Sequence, residues 1–329
     1  MKRLLVFFAV MLHIGISHCA AQKIGLLMDS YVSDRWYIDQ KFLVNTIKEA
    51  GGECIVEVPY GDADEQVRLG KKLIEQKVDA LIIIPVDTKR ALEIVAEAKK
   101  ANIPVISYDR LILTNDISYY ISFDNEKVGQ LQAEYALSKV PSGQFILLNG
   151  PESDYNAILF RQGQLKALDA SIKSGKVKIL GDYTVSDWSE LLAMMKLTEE
   201  LPGIKATPDA VIAANDALAN GAILALPKSV IGKVVVTGQD ADLTGVKNII
   251  QGNQSMTVYK PIKPLAIRAA EIAIALARKS EIANKKKVRF GDIEVYAELL
   301  APIAVDKNNY KETVVKDGHV SLSEIMIKN

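Results

Sequence analysis

Four apolar runs in this chain finish on a carboxylate or an amide: LLMD on Asp29, ISYD on Asp109, IAAN on Asn215 and VTGQD on Asp240. In one of them Arg110 follows Asp109 directly, so VISYDR ends on two adjacent full charges. Charges taken out of water cost several kcal/mol each unless they find partners. Further residues of matching chemistry are Arg35 and Trp36 in DRWYID, Asp154, Asn156 and Arg161 in SDYNAILFR, Trp188 in VSDWSE, and Lys260 in VYKPI. Together with Asp109, Arg110, Asn215 and Asp240, such a set suits a polyhydroxylated ring. Carboxylates accept from hydroxyls, Arg, Lys and Asn donate to them, and indole planes cover the C–H faces. The charges would then be satisfied through the bound ring, and the opposing ions would stay apart until it bridges them. Each signal also has a plainer reading: a tryptophan packed on the surface at a helix end, or a surface ion pair beside a loop.

The elements that must position these residues alternate along the chain. KIGLLMD, CIVEVPY, DALIIIP and IPVISYD are separated by the helical patterns FLVNTIKEAGG, QVRLGKKLIEQ and ALEIVAEAKKAN. QFILLNG, KILGDYTV, DAVIAAND and KVVVTGQD then alternate with helices over about 156–174, through SELLAMMKLTEEL and through ALANGAILAL. Continuous Ile, Val and Leu strands between amphipathic helices predict parallel sheets covered on both faces, an α/β doubly wound arrangement. The two series repeat coarsely: DALIIIP leads to Asp109 about 30 residues after Asp79, and DAVIAAND leads to Asp240 at nearly the same distance from Asp209. Two similar lobes are predicted. Ligands of open parallel sheets bind outside the carboxyl ends of the strands, where the four polar termini gather.

Composition excludes several functions. Lys plus Arg equals Asp plus Glu at 40 each, so no net field draws the protein to nucleic acid. The basic run KKKVR at 285–289 reads as a solvated loop, and no helix-turn-helix precedes the first strand. The three histidines are His13, His18 and His319, too few and too scattered for a triad or a histidine metal cluster. Neither G-x-G-x-x-G nor a Walker A loop is present. A glycosidase could use paired carboxylates such as Asp109 and Asp154, but the cations around them favour ionised acceptors over a general acid. The reading is a binding protein with no cofactor and no metal, with a carbohydrate-active enzyme as the lesser alternative.

The N-terminus, MKRLLVFFAVMLHIGISHCAAQ, has a basic start, an apolar run too short to span a bilayer, and small residues at Ala20 and Ala21. It is expected to be a secretory signal over 1–21 that sends the protein to the periplasm. Cys19 raises lipid anchoring, which His18 disfavours. Cleavage after Ala21 leaves Cys54 as the sole cysteine, so no internal disulfide is expected.

Several stretches carry a family resemblance: SDRWYID, SFDNEKVG, DYNAILFRQGQLKAL, AANDALANGAI, GQDADL, TVYKPI and LLAPIAVDKNNYKETVVKDG. From about Lys23 to Gly318 the chain resembles the type I periplasmic binding proteins of bacterial ABC sugar importers, and within them the D-xylose binders. The resemblance implies two lobes joined by a three-crossover hinge near Ser122–Asp124, Tyr259–Pro261 and Ala301–Ile303. It implies lobes of 22–123 plus 262–301 and of 124–261 plus 302–329. Its sugar contacts carry over to Arg35, Trp36, Asp109 and Arg110, and to Asp154, Asn156, Arg161, Trp188, Asn215, Asp240 and Lys260. Tyr155 departs from the Asn usual there, and SYVSD at 30–34 departs from a more basic loop. The implied partners are a monosaccharide, D-xylose or a related pentose, and a membrane permease or alternatively a sensor kinase. A monomer is expected, since the lobes need free outer faces to meet a receiver.

Overall fold

A computed structural model describes residues 21–31, 34–204 and 206–327. The secretory signal expected over 1–21 falls, apart from Ala21, outside the described residues, Cys19 included. Strands β1 (Lys23–Leu27), β2 (Glu53–Glu57), β3 (Ala80–Ile83), β4 (Val105–Tyr108) and β5 (Tyr119–Phe123) join β11 (Lys286–Phe290) and β12 (Ile293–Leu300) in a seven-stranded sheet. Its order is β11-β12-β5-β4-β3-β1-β2, parallel except for β11. A second sheet, β7-β6-β8-β9, is parallel throughout and is built from β6 (Gly143–Asn149), β7 (Val177–Thr184), β8 (Ala210–Ala213) and β9 (Val235–Thr237). β10 (Met256–Tyr259) and β13 (Ile303–Asp306) form a separate antiparallel pair.

The strands are apolar on both sides because both faces of each sheet are covered. On the first sheet, Ile24, Leu26 and Ile82 pack under α1 (Asp34–Glu49) and α9 (Ile262–Ala277). The alternate residues Leu81 and Ile83 face α2 (Ala63–Glu75) and α3 (Leu92–Lys100). On the second, Ile146, Leu148 and Val211 meet α6 (Glu190–Ile204) and α7 (Asp216–Ala225). Phe145, Leu147 and Ile212 meet α4 (Asn125–Lys139) and α5 (Tyr155–Lys173).

Two features differ from the sequence reading. KKKVR enters β11, an edge strand paired with β12 through Val288 and Val295, so it is not a loop. Lys286, Lys287 and Arg289 fit there because charged side chains on an edge discourage further strand pairing. The β10–β13 pair also interrupts the alternation of the second series. The chain passes from β5 to α4 through Asp124, from β10 to α9 through Lys260 and Pro261, and from β12 to β13 through Ala301 and Pro302. These are the three places where the resemblance puts the crossovers.

Candidate functional site

Asp29, Asp109, Asn215 and Asp240 all follow the carboxyl ends of β1, β4, β8 and β9, and each is positioned by local chemistry. Asp109 has φ 63° and Asp240 φ 94°, the left-handed region that few side chains adopt without support from their surroundings. The backbone N–H of Asp109 donates to Ile121 O at 2.8 Å, and that of Asp240 to Val258 O at 2.9 Å. Asp154 caps α5 by accepting from Asn156 N at 2.9 Å, and Asn215 caps α7 by accepting from Leu218 N at 2.9 Å.

The charged side chains meet one another directly. Arg35 gives Nη2 to Asp109 Oδ1 and Nε to Asp39 Oδ2 at 3.2 Å, and its Nη1 lies 3.6 Å from Asp240 Oδ1. Arg110 pairs through Nε with Asp154 Oδ2 at 2.8 Å and through Nη1 with Asp29 Oδ2 at 3.2 Å, and it donates to Pro85 O at 3.0 Å. Asn156 Nδ2 donates to Asp109 O and Oδ2, both at 3.2 Å, while its Oδ1 accepts from Asn125 Nδ2 at 2.8 Å. Lys260 Nζ lies 3.3 Å from Asp240 Oδ1 and 5.9 and 5.8 Å from the ring centres of Phe123 and Phe160.

These pairs correct the expectation that opposing ions stand apart until a ligand bridges them. Arg35 and Asp109 follow strands of the first sheet or lie on its helices, yet they reach Asp240 and Asn156 beside the second. The reason is the cost of isolated buried charge: Arg35, Asp109, Arg110, Asp154 and Lys260 are all buried, and unpaired ions there would be unsupportable. Thr88 N also donates to Ser153 O at 3.3 Å.

The electrostatics follow from these contacts. Burial alone would raise the Asp109 carboxyl, but Arg35, Lys260 and Arg110 outweigh it and hold the group at about 2. Burial dominates at Asp39, which rises to about 6 despite Arg35, and at Asp29, which also rises despite Arg110.

The tryptophans take different places. Trp36 is buried in the first core, with the Arg35 and Arg110 guanidinium carbons 4.5 and 5.5 Å from its ring centre. Trp188 is half-buried, donates Nε1–H to Asp154 Oδ2 at 3.1 Å and packs 6.3 Å from Phe160. Gly150 permits this placement, since a Cβ there would lie 2.1 Å from the indole.

Two predicted residues stand apart from the ionic network. Arg161 is 44% exposed and turns to Asp182, with Nε at 3.1 Å from both carboxylate oxygens. Asn215 lies at the correct strand end, but its Oδ1 is committed to the α7 cap.

Residues absent from the candidate set complete the network. Asp39 is fully buried, accepts from Arg35 and also from the Tyr108 hydroxyl. Its i to i+4 spacing from Arg35 on α1 was the available signal. Asp29 carried the same strand-end signal as Asp109. Asn125 had no distinguishing signal. It reaches Asn156 because α4 and α5 cross closely, with Gly129 against Phe160 O and Gly163 against Glu126 O.

Among the described residues, no cluster of His, Cys, Asp and Glu could hold a metal, and no helix is long and apolar enough to cross a membrane. Two largely parallel sheets carry polar residues just past their carboxyl strand ends, and side chains from beside the two sheets meet there. A family model for the periplasmic binding protein domain matches residues 24–281, and the chain belongs to that family. It is 44% identical over 303 residues to the D-xylose-binding periplasmic protein of Haemophilus influenzae, covering 92% of this chain and 91% of the relative. It is 42% identical to the protein of the same name from Escherichia coli, with 94% of each chain covered. Among solved structures, a solute-binding protein of an ABC transporter from Clostridium phytofermentans with bound β-D-glucose superposes with a TM-score of 0.85 at 26% identity, covering 92% of this chain and all of that one.

Proposed function

We propose that this protein is an exported solute-binding protein that captures a pentose, D-xylose, between its lobes and delivers it unchanged to an ABC permease. The observation that carries this reading is the buried set Arg35, Asp109, Arg110, Asp154, Asn156 and Lys260, joined by the partly exposed Asp240 and with the Trp188 indole beside it. Its donors and acceptors match a ring of hydroxyls, and the Trp188 plane matches the C–H face of such a ring. The two relatives of highest identity cited above are named for D-xylose binding, which supports the choice of sugar.

The lobes, 22–123 plus 262–301 and 124–261 plus 302–329, close about the three crossovers. A ligand shifts such an equilibrium only by its differential affinity for the two states. Here the difference arises because polar groups on both lobes reach the ring only when the lobes are together. Dissociation constants of about 1 μM or tighter, on the order of 8 kcal/mol, follow from such wiring. An epimer that strands one buried partner loses roughly 1–3 kcal/mol or more. The leader over 1–21 exports the chain, which acts as a monomer with its outer faces free for the permease.

Titration calorimetry of the purified protein with D-xylose, D-ribose, L-arabinose and D-glucose tests the reading. Tight binding of D-xylose with recovery of unaltered sugar is expected. No heat with any pentose, or release of a chemically altered sugar, overturns it.

A further inference from the structure

His319 is the only histidine among the described residues, and the binding network does not include it. It belongs to the C-terminal segment, which packs behind the Asp240 turn through a cluster of Ala241, Val246, Tyr259, Val305, Val314 and Val320. Asp240 and Ala241 are consecutive non-glycine residues with φ 94° and 53°. Two successive left-handed residues need neighbours that fix them.

The hydrogen bonds show how the turn is fixed. Three successive N–H groups are held from the sheet side: Asp240 by Val258 O at 2.9 Å, Ala241 by Thr257 Oγ1 at 3.1 Å and Asp242 by Asp216 Oδ2 at 3.0 Å. The carbonyls of Asp240 and Ala241 are both held from the tail side by His319 Nε2, at 3.1 Å each. Carbonyl oxygens only accept, so Nε2 must carry the proton. The same ring lies 4.8 Å from that of Tyr259, the residue before Lys260, whose hydroxyl donates to Asp317 Oδ2 at 3.3 Å. The tail therefore braces both carriers of the Asp240–Lys260 ion pair. His319 is itself anchored by its N–H on Val314 O at 2.9 Å, after a reversal at Gly318 with φ 70°.

We propose that His319 is a positioning residue for sugar binding: its Nε2–H, shared between two carbonyls, holds the left-handed turn that aims the Asp240 carboxylate beside Lys260. The inference rests on the sugar-binding reading above. It assigns the C-terminal segment a part in affinity although that segment supplies no group to the ionic network. Burial lowers the ring's affinity for a second proton, which suits a donor that must not bring a charge with it.

The test pairs two variants with the wild type. His319→Phe keeps a ring against Tyr259 and removes the donor, whereas His319→Gln restores an N–H. For His319→Phe, D-xylose affinity is expected to fall about tenfold, the scale of one lost hydrogen bond to a buried group. His319→Gln is expected to stay within about threefold. A purely structural role predicts a different result, namely equal loss of melting temperature in both variants with affinity unchanged. His319→Phe binding as tightly as wild type, or both variants weakened alike, overturns the proposal. Ring nitrogen NMR of the intact wild-type protein supplies a check that needs no variant, because an Nε2 without its proton also overturns it. Failure of the wild type to bind any pentose would instead strike the sugar-binding reading itself.

Discussion

Asp109 and Asp240 occupy matching places in the two sheets, each just past a buried strand and each in the left-handed region, yet their side chains live differently. Asp109 is 3% exposed and fully wired, with Arg35 on one oxygen and Asn156 on the other. Asp240 is 26% exposed, and its Oδ1 has only the looser approaches of Lys260 at 3.3 Å and Arg35 at 3.6 Å, with no hydrogen bond. The repeat thus supplies two carboxylates with one backbone geometry and two duties. One neutralises buried cations and fixes Arg35. The other keeps acceptor capacity that an incoming hydroxyl can use.

The sharpest way to break this comparison is to truncate both acids. Asp109→Ala takes the most direct carboxylate from Arg35, leaving it Asp39 and the distant Asp240, and should destabilise the protein by about 3–5 kcal/mol in chemical denaturation, as removing one partner of a buried pair does. Asp240→Ala should cost only about 1–2 kcal/mol in the same measurement, since its contacts are longer and partly solvated. Calorimetry on that variant should nonetheless show loss of sugar affinity by about 2 kcal/mol or more. Equal destabilisation by the two changes would erase the distinction.

The pH dependence sharpens the contrast. Asp39 and Asp242, each lifted to about 6 with burial the main cause, bind protons more tightly folded than unfolded, and buried Asp216 is raised as well. Between about 6 and about 4 the folded chain alone takes up the Asp39 and Asp242 protons, so stability should rise as pH falls through that window. Asp109, held at about 2, has the opposite sign: its contribution is complete above about 4 and is lost as pH falls toward 2. Melting temperature should therefore be higher at pH 5 than at pH 7.5 and drop below pH 4. Asp39→Asn should remove part of the rise on the acid side.

Smaller effects probe the edges of the site. Gly150→Ala should push the indole of Trp188 from Asp154 and cost roughly 1–3 kcal/mol of stability, the range for overpacking, with weaker sugar binding by calorimetry. Arg161→Ala breaks a half-exposed pair with Asp182 and should change stability by less than about 1 kcal/mol. Its sugar affinity should stay within about twofold of wild type, and a larger loss would bring Arg161 back into the site.

Much of the site was legible because strand ends advertise themselves. An apolar run that stops on a charge, as at Asp109 and Asp240, marks both the boundary of a parallel strand and the crevice beyond it. Asp39 lies within a helix whose pattern reads as amphipathic; its spacing from Arg35 hints at a pair, but its contact with Tyr108, 69 residues away, has no mark in the local pattern. Asn125 depended on a close crossing of α4 and α5 that no local pattern announces. The β11 strand was missed because consecutive lysines suppress the alternating signal of an edge.

The amino-acid sequence by itself determined the alternation of strands and helices, the repeat of the two lobes and the residue types gathered at their strand ends. Those features follow from local apolar periodicity and from which side chains tolerate burial. Tertiary structure alone decided which ion faces which: that Arg35 reaches Asp39, Asp109 and Asp240 together, that Trp36 lies beside cations, and that His319 arrives behind Asp240 from the far end of the chain. Pairing among buried charges is set by distance in space, and residues far apart along a chain carry no local mark of being neighbours.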